Sequence, residues 1–165
     1  MTRKPLTLTI ATLALSGALL VPLATTAMAD ESSPRDRFDS MTQAASDYGF
    51  DRFNELSIDD GNRFEAEGWH NDGTRLDVDL SLDDGSVLRE QRNATQSQAP
   101  EWSLSAEDVG KALDSAQASG IVQISSIDAD GYGHIEVEGY DDQHRELELN
   151  LARDSFEVTS VNQDD

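Results

Sequence analysis

The chain has 165 residues, with 33 acidic against 12 basic side chains, no cysteine, and a formal net charge of −21. That charge repels nucleic-acid phosphates and anionic lipid head groups, so neither is an expected partner. Lack of cysteine excludes disulfides and a lipid-modified N-terminal cysteine, so the fold must rest on its core alone.

Arg3 and Lys4 precede an uncharged stretch, 5–29, that closes on the small residues Ala27 and Ala29. This is the pattern of a secretory signal peptide over 1–29, cut after Ala29. An uncleaved membrane anchor is the rival, but Gly17, Pro22 and several threonines dilute the apolar block to leader length. A chain starting at Asp30 loses two basic residues and no acidic ones, giving 10 − 33 = −23. It is expected to be periplasmic or secreted, with no membrane attachment after cleavage. Its acidity suits a salty habitat, bound cations or a cationic partner.

Ser33, Pro34 and Asp36 write a capping box ahead of Phe38, Met41, Ala45 and Tyr48, and Gly49 is placed to end this first helix. The strand "FNELSI" leads through "DDGN" into "RFEAEGW", where Phe64, Ala66 and Gly68 face one way. Glu65, Glu67 and Trp69 face the other. After an N-D-G turn, "TRLDVDLSL" sends Leu76, Val78, Leu80 and Leu82 inward, Asp77 and Asp79 outward. "DDG" then turns into "SVLRE", and the polar "NATQSQAPEW" reads as a connector. Ser105 and Asp108 cap a second helix whose stripe is Val109, Ala112, Leu113 and Ala116, with Gly120 as its stop. Further strands place Ile135, Val137, Leu147, Leu149 and Leu151 inward and Glu136, Glu138, Glu146 and Glu148 outward.

The second series repeats the first at a spacing of 71. Glu65 meets Glu136, Gly68 meets Gly139, Leu76 meets Leu147, and the register reaches back without a gap to Gly49 and Gly120. An internal duplication is the economical account. The expected fold is α+β: two tandem units, each a helix followed by a four-stranded antiparallel meander. The boundaries are 1–29 for the leader, 30–93 for the first unit, 94–102 for the linker and 103–165 for the second.

"FEAEGWHNDGTRLDVDLSLDDGSVL" resembles the PepSY domain, and "LSAEDVGKALDSAQASG" before "IVQISSID" is similar to the helix that opens it. The resemblance implies a non-catalytic exported protein, a binding module that modulates a secreted or envelope protein such as a peptidase. The second copy departs from the pattern, because "DDQHR" and "ARDSF" lack the family's turn glycines.

No catalytic constellation emerges. His70, His134 and His144 fall in or beside turns, or at the entry to a strand, and no nucleophile stands beside a base. "DADGYGHIEVEG" starts like a calcium loop at Asp128, Asp130 and Gly133, but has Tyr132 fifth and Gly139 twelfth, where a bidentate glutamate is needed. No cofactor and no dedicated metal site are expected. The alternative function is an acidic envelope protein that binds or buffers divalent cations weakly through its aspartate-rich turns. The candidate partner surface is the outer face: Glu65, Glu67, Glu136 and Glu138, with Trp69 and Tyr140 as aromatic anchors at equivalent strand ends.

Overall fold

The computed structural model describes residues 32–59, 62–96 and 98–163. The expected leader and its cut after Ala29 lie outside the described residues. In chain order the elements are β1 (Ser33–Pro34), α1 (Arg35–Tyr48), β2 (Phe50–Asp59), β3 (Arg63–His70), β4 (Thr74–Ser81) and β5 (Val87–Gln96). Then follow α2 (Ala106–Ala118), β6 (Gln123–Ala129), β7 (His134–Tyr140), β8 (Glu146–Ala152) and β9 (Val158–Gln163). Among the described residues the class is α+β, two helices on one antiparallel sheet of nine strands.

Both helices form where their apolar stripes can be buried. Phe38, Met41 and Ala45 of α1 and Val109, Ala112, Leu113 and Ala116 of α2 are all buried. At α2 the capping box forms: Ser105 Oγ accepts from the Asp108 amide at 3.2 Å, and Asp108 Oδ2 accepts from the Ser105 amide at 3.1 Å. The box expected at α1 does not form. Ser33 is extended and paired with Ile124 in the sheet, so Pro34 becomes the N-cap and no side chain caps the helix. Gly49 ends α1 with φ +125°, its amide donating to Ala45 and Ser46.

The strand order is β5-β4-β3-β2-β6-β7-β8-β9, with β1 beside β6. The two meanders therefore share one sheet, joined where Leu56 faces Ile127 between the pairs Glu55–Asp128 and Ser57–Ser126. Leu56 and Ile127 are themselves 71 apart, which places an approximate two-fold axis at this pair. Two bulges and two close glycine contacts follow it. Bulges at Phe53/Glu55 and Asp79/Leu80 recur at Ile124/Ser126 and Asn150/Leu151. A Cβ on Gly68 would stand 2.1 Å from the Arg52 carbonyl oxygen, and one on Gly139 2.1 Å from that of Gln123. Glycine is needed at both because the bulged neighbour strand presses against the backbone.

The two meanders also trade their lead-in segments. Ser33, ahead of α1, pairs with Ile124 of β6, and Leu104, ahead of α2, exchanges backbone hydrogen bonds of 2.7 and 2.8 Å with Phe53 of β2. Arg35 then ties the helices together, its Nη1 lying 2.6 Å from Asp114 Oδ1. The core fills the space between sheet and helices, and runs unbroken across the seam from Phe64, Val78 and Leu80 through Leu56 and Ile127 to Val137, Leu149 and Leu151. The connector is shorter than expected at its start, because β5 continues to Gln96.

Candidate functional site

The face of the sheet turned away from the helices carries two rows of side chains. In strand order from β5 to β9, one reads Gln91, Asp77, Glu67, Glu55, Asp128, Glu136, Asn150, Ser160. The other reads Arg89, Asp79, Glu65, Ser57, Ser126, Glu138, Glu148, Asn162. The first row puts carboxylates on five neighbouring strands in direct register, from Asp77 to Glu136. Neighbouring strands lie about 4.8 Å apart, so Glu67, Glu55 and Asp128 each meet a like charge on both sides.

Of the glutamates expected outward, Glu65, Glu67, Glu136, Glu138 and Glu148 stand in these rows and Glu146 lies beyond them opposite Tyr140, while the seam adds Glu55 and Asp128, which the alternation does not mark. Phe53 and Leu56, like Ile124 and Ile127, are buried three apart because a bulge intervenes. That spacing breaks the period of two by which a half-buried strand is recognised. Asp128, the first residue of the supposed calcium loop, is thus a sheet residue. Asp130 Oδ1 is occupied by the turn, accepting from the amides of Tyr132 (2.8 Å) and His134 (3.0 Å).

The rows are electrostatically strained at their centre. Burial, and then repulsion from Glu67 and Asp128, raise the Glu55 carboxyl above its ordinary value. Asp128 is raised by burial and by Asp130, despite the amide of Asn54. Glu136 is raised by burial and then only by other acids, namely Glu148, Glu138, Asp128 and Asp130. Glu65 is raised by burial, Asp77 and Asp79, but Arg89 works in the other direction.

Arginine separates the two halves of the face. Arg89 Nε lies 2.9 Å from Asp79 Oδ2, and its Nη2 lies 3.2 Å from Asp77 and 3.7 Å from Glu65. Arg75 Nη2 lies 3.0 Å from Glu67, and Arg63 pairs with Asp59 and reaches Asp79 at 3.5 Å. Asp79, expected to be outward, does lie on this face, but the guanidinium groups of Arg89 and Arg63 leave it only 3% exposed. The residues 71 positions after Arg63, Arg75 and Arg89 are His134, Glu146 and Ser160. Among the described residues, no lysine or arginine forms an ion pair with Glu136, Glu138, Glu146 or Glu148.

Trp69 is not the exposed anchor expected. It is 4% exposed, edge-on to Trp102 at 5.7 Å, with the Arg75 guanidinium 5.3 Å from its ring centre. The approach to α2 covers it, because Arg153 holds the carbonyls of Trp102 and Ser103 at 3.0 Å each. Tyr140 is half-buried at the edge of a depression of about 310 Å³, whose floor is Ser57 and Ser126 and whose walls include Glu55, Glu138 and Glu146. In the first half, Glu65, Glu67 and Asp77 each bring a carboxylate oxygen within 4.8 Å of the others, close enough to hold a cation were Arg75 and Arg89 displaced. The histidines make local contacts: His70 Nδ1 accepts from the Asp72 amide at 3.3 Å, and His134 Nδ1 lies 3.5 Å from Asp130.

The antiparallel sheet thus carries its helices on one face and its carboxylate rows on the other. Residues 9–91 match the family described as "Peptidase propeptide and YPEB domain", and the chain belongs to this PepSY family. A crystal structure of a provisionally assigned lipoprotein from Clostridium difficile 630 is similar at 13% identity and a TM-score of 0.42, covering 84% of this chain and 98% of that one. No curated protein matches the chain. Among the described residues, no helix is long and apolar enough to cross a membrane.

Proposed function

We propose that this protein is an exported, non-catalytic binding module that modulates a secreted or envelope protein, with a peptidase as the leading partner class. Membership of a peptidase-propeptide family is the observation that carries the reading. The finer organisation belongs to the same proposal: a leader removed after Ala29, PepSY-like units at 30–93 and 103–165 joined by a linker at 94–102, and a periplasmic or secreted location. The second unit is supported by the backbone. Among the described residues, the positive-φ positions form four pairs at the repeat spacing: Gly49/Gly120, Asn62/Gly133, Gly73/His144 and Gly85/Phe156.

The proposed contact surface is the outer face, through Glu65, Glu67, Glu136, Glu138 and Tyr140. Residues 30–165 immobilised on resin are expected to retain an exported protein at ~0.15 M salt. If nothing is retained, or if a retained peptidase keeps its full activity when the module is added, the reading fails. A second reading, weak divalent-cation binding, draws on the close approach of Glu65, Glu67 and Asp77. Saturable calcium heat in calorimetry, with no protein retained, would favour it.

A further inference from the structure

We infer that the second half of the outer face, built on Glu136, Glu138 and Glu148, receives the guanidinium groups of an arginine-bearing extended segment of a partner protein. This rests on the binding-module reading and specifies the chemistry of the partner.

The first half displays the occupied form of the same constellation. Glu65, Glu67 and Asp77 stand 71 residues before Glu136, Glu138 and Glu148, and all three are ligated by guanidinium groups of the chain itself. Arg89 reaches Glu65 and Asp77 from β5, the edge strand beyond β4. In the second half β9 occupies the corresponding edge, but the residue equivalent to Arg89 is Ser160. The residue equivalent to Arg75, which ligates Glu67, is Glu146. The carboxylates are kept and their cations are gone.

Among the described residues, the side chains that donate hydrogen bonds to them are neutral. Ser126 Oγ donates to Glu138 at 3.1 Å, and Asn150 and Asn162 donate to Glu148 at 3.0 and 2.9 Å. These amides and hydroxyls supply hydrogen bonds without charge, so the Glu136 carboxyl is surrounded by acids. The depression between Glu55, Glu138, Tyr140 and Glu146 leaves room beside them for a side chain from outside.

Geometry selects guanidinium over a compact cation. Carboxylates on adjacent strands are about 4.8 Å apart, and a planar fork with several N–H donors bridges such a gap, as Arg89 does between Glu65 of β3 and Asp77 of β4. The two rows are two residues apart along each strand, about 7 Å, which is also the repeat of alternate side chains in an extended segment. Arginines two residues apart therefore reach both rows at once.

The test uses residues 30–165, isotopically labelled, and three probe peptides at ~0.15 M salt: acetylated Thr-Arg-Thr-Arg-Thr and its lysine and glutamine counterparts. The arginine peptide is expected to shift the backbone amides of β7 and β8, to bind more tightly than the lysine peptide, and to leave the glutamine peptide without effect. Ser160→Arg, which restores the first-half arrangement, should weaken binding about tenfold, as should Glu136→Gln, Glu138→Gln and Glu148→Gln together. The same loss of charge on exposed acids of the helices, Asp36→Asn, Asp47→Asn and Glu107→Gln, should change it less than about twofold. Equal losses from both sets, an unchanged affinity in Ser160→Arg, or calcium shifting these amides where the arginine peptide does not, would each overturn the inference. A partner retained on resin by wild type and Ser160→Arg alike would overturn it while leaving the module reading in place. Peptide binding as described without any retained partner would do the reverse.

Discussion

The inner face of the sheet is nearly the same in both halves and the outer face is not. Inside, the pairs Gly68–Leu76 and Gly139–Leu147 repeat, as do the bulges and the close glycine contacts, because packing against a helix fixes shape within fractions of an ångström. Outside, Arg63, Arg75 and Arg89 gave way to His134, Glu146 and Ser160 while the glutamates stayed. The two halves thus share what the core demands and differ in the counter-charge on the solvent face. The first half pairs Glu65, Glu67 and Asp77 with its own arginines, and the second has no such pairs for Glu136, Glu138 and Glu148 among the described residues.

The largest effects should be blind to this difference. Leu76 and Leu147 are 1% and 7% exposed, so Leu76→Ala and Leu147→Ala should each cost about 2–5 kcal/mol in denaturant titrations. A large loss in one half and a negligible loss in the other would break the equivalence of the two cores.

The next effect should expose the difference. Arg89→Ala leaves buried Asp79 with only the 3.5 Å contact to Arg63, and should lower the denaturant midpoint. Its counterpart Ser160→Ala should stay within about 0.5 kcal/mol.

Smaller still is the effect of the missing turn glycines. His144 and Phe156 have φ of +60° and +58° where the first half has Gly73 and Gly85. The turn chemistry of the first half thus persists without the residue that favours it. Asp141 sustains the turn at His144, accepting from the amides of Gln143 and Arg145 at 2.8 and 3.0 Å. His144→Gly should therefore stabilise by about 0.5–1 kcal/mol, read as a rise in melting temperature. Phe156 offers no such gain, because its ring packs on the core and against Lys111 and Arg153.

The repeat spacing made the helices, the alternating strands and the paired cores legible in the sequence. Leu76, Val78, Leu80, Ile135, Val137, Leu149 and Leu151 all point as their alternation requires, and all are buried. What could not be read is how the halves meet. Ser33–Ile124 and Leu104–Phe53 are pairings between segments far apart in the chain, and Ser33 next to Pro34 carries a stronger local signal for a helix cap than for a strand. Trp69 was misjudged for the same reason. Alternation sets its face, but the cover over that face arrives from Trp102, 33 residues later.

Proton linkage offers a subtler probe of the whole face. Glu55, Glu65, Asp128 and Glu136 have carboxyls raised on folding, so each destabilises the fold while ionised, and the loss is recovered as pH falls through the raised values. Asp108, Asp130 and Asp141 are lowered, and Asp72 to about 2, so their contribution is present at higher pH and fades as pH falls below the ordinary aspartate value of about 3.9. Stability should therefore rise from neutral pH toward the ordinary glutamate range and then drop steeply. Added monovalent salt should flatten the rise, because it screens the same repulsion.

The contrast between the faces is tested most directly by comparing the thermal stability of two triply neutralised chains at ~0.01 M salt, where the Debye length is about 30 Å. Glu136→Gln, Glu138→Gln and Glu148→Gln together should raise stability by about 1 kcal/mol, since they remove repulsion that no internal cation offsets. Glu65→Gln, Glu67→Gln and Asp77→Asn should leave it unchanged or lower it, because they strand Arg75 and Arg89 without their carboxylates. Equal gains in the two chains, or a loss in the second-half chain, would contradict the account.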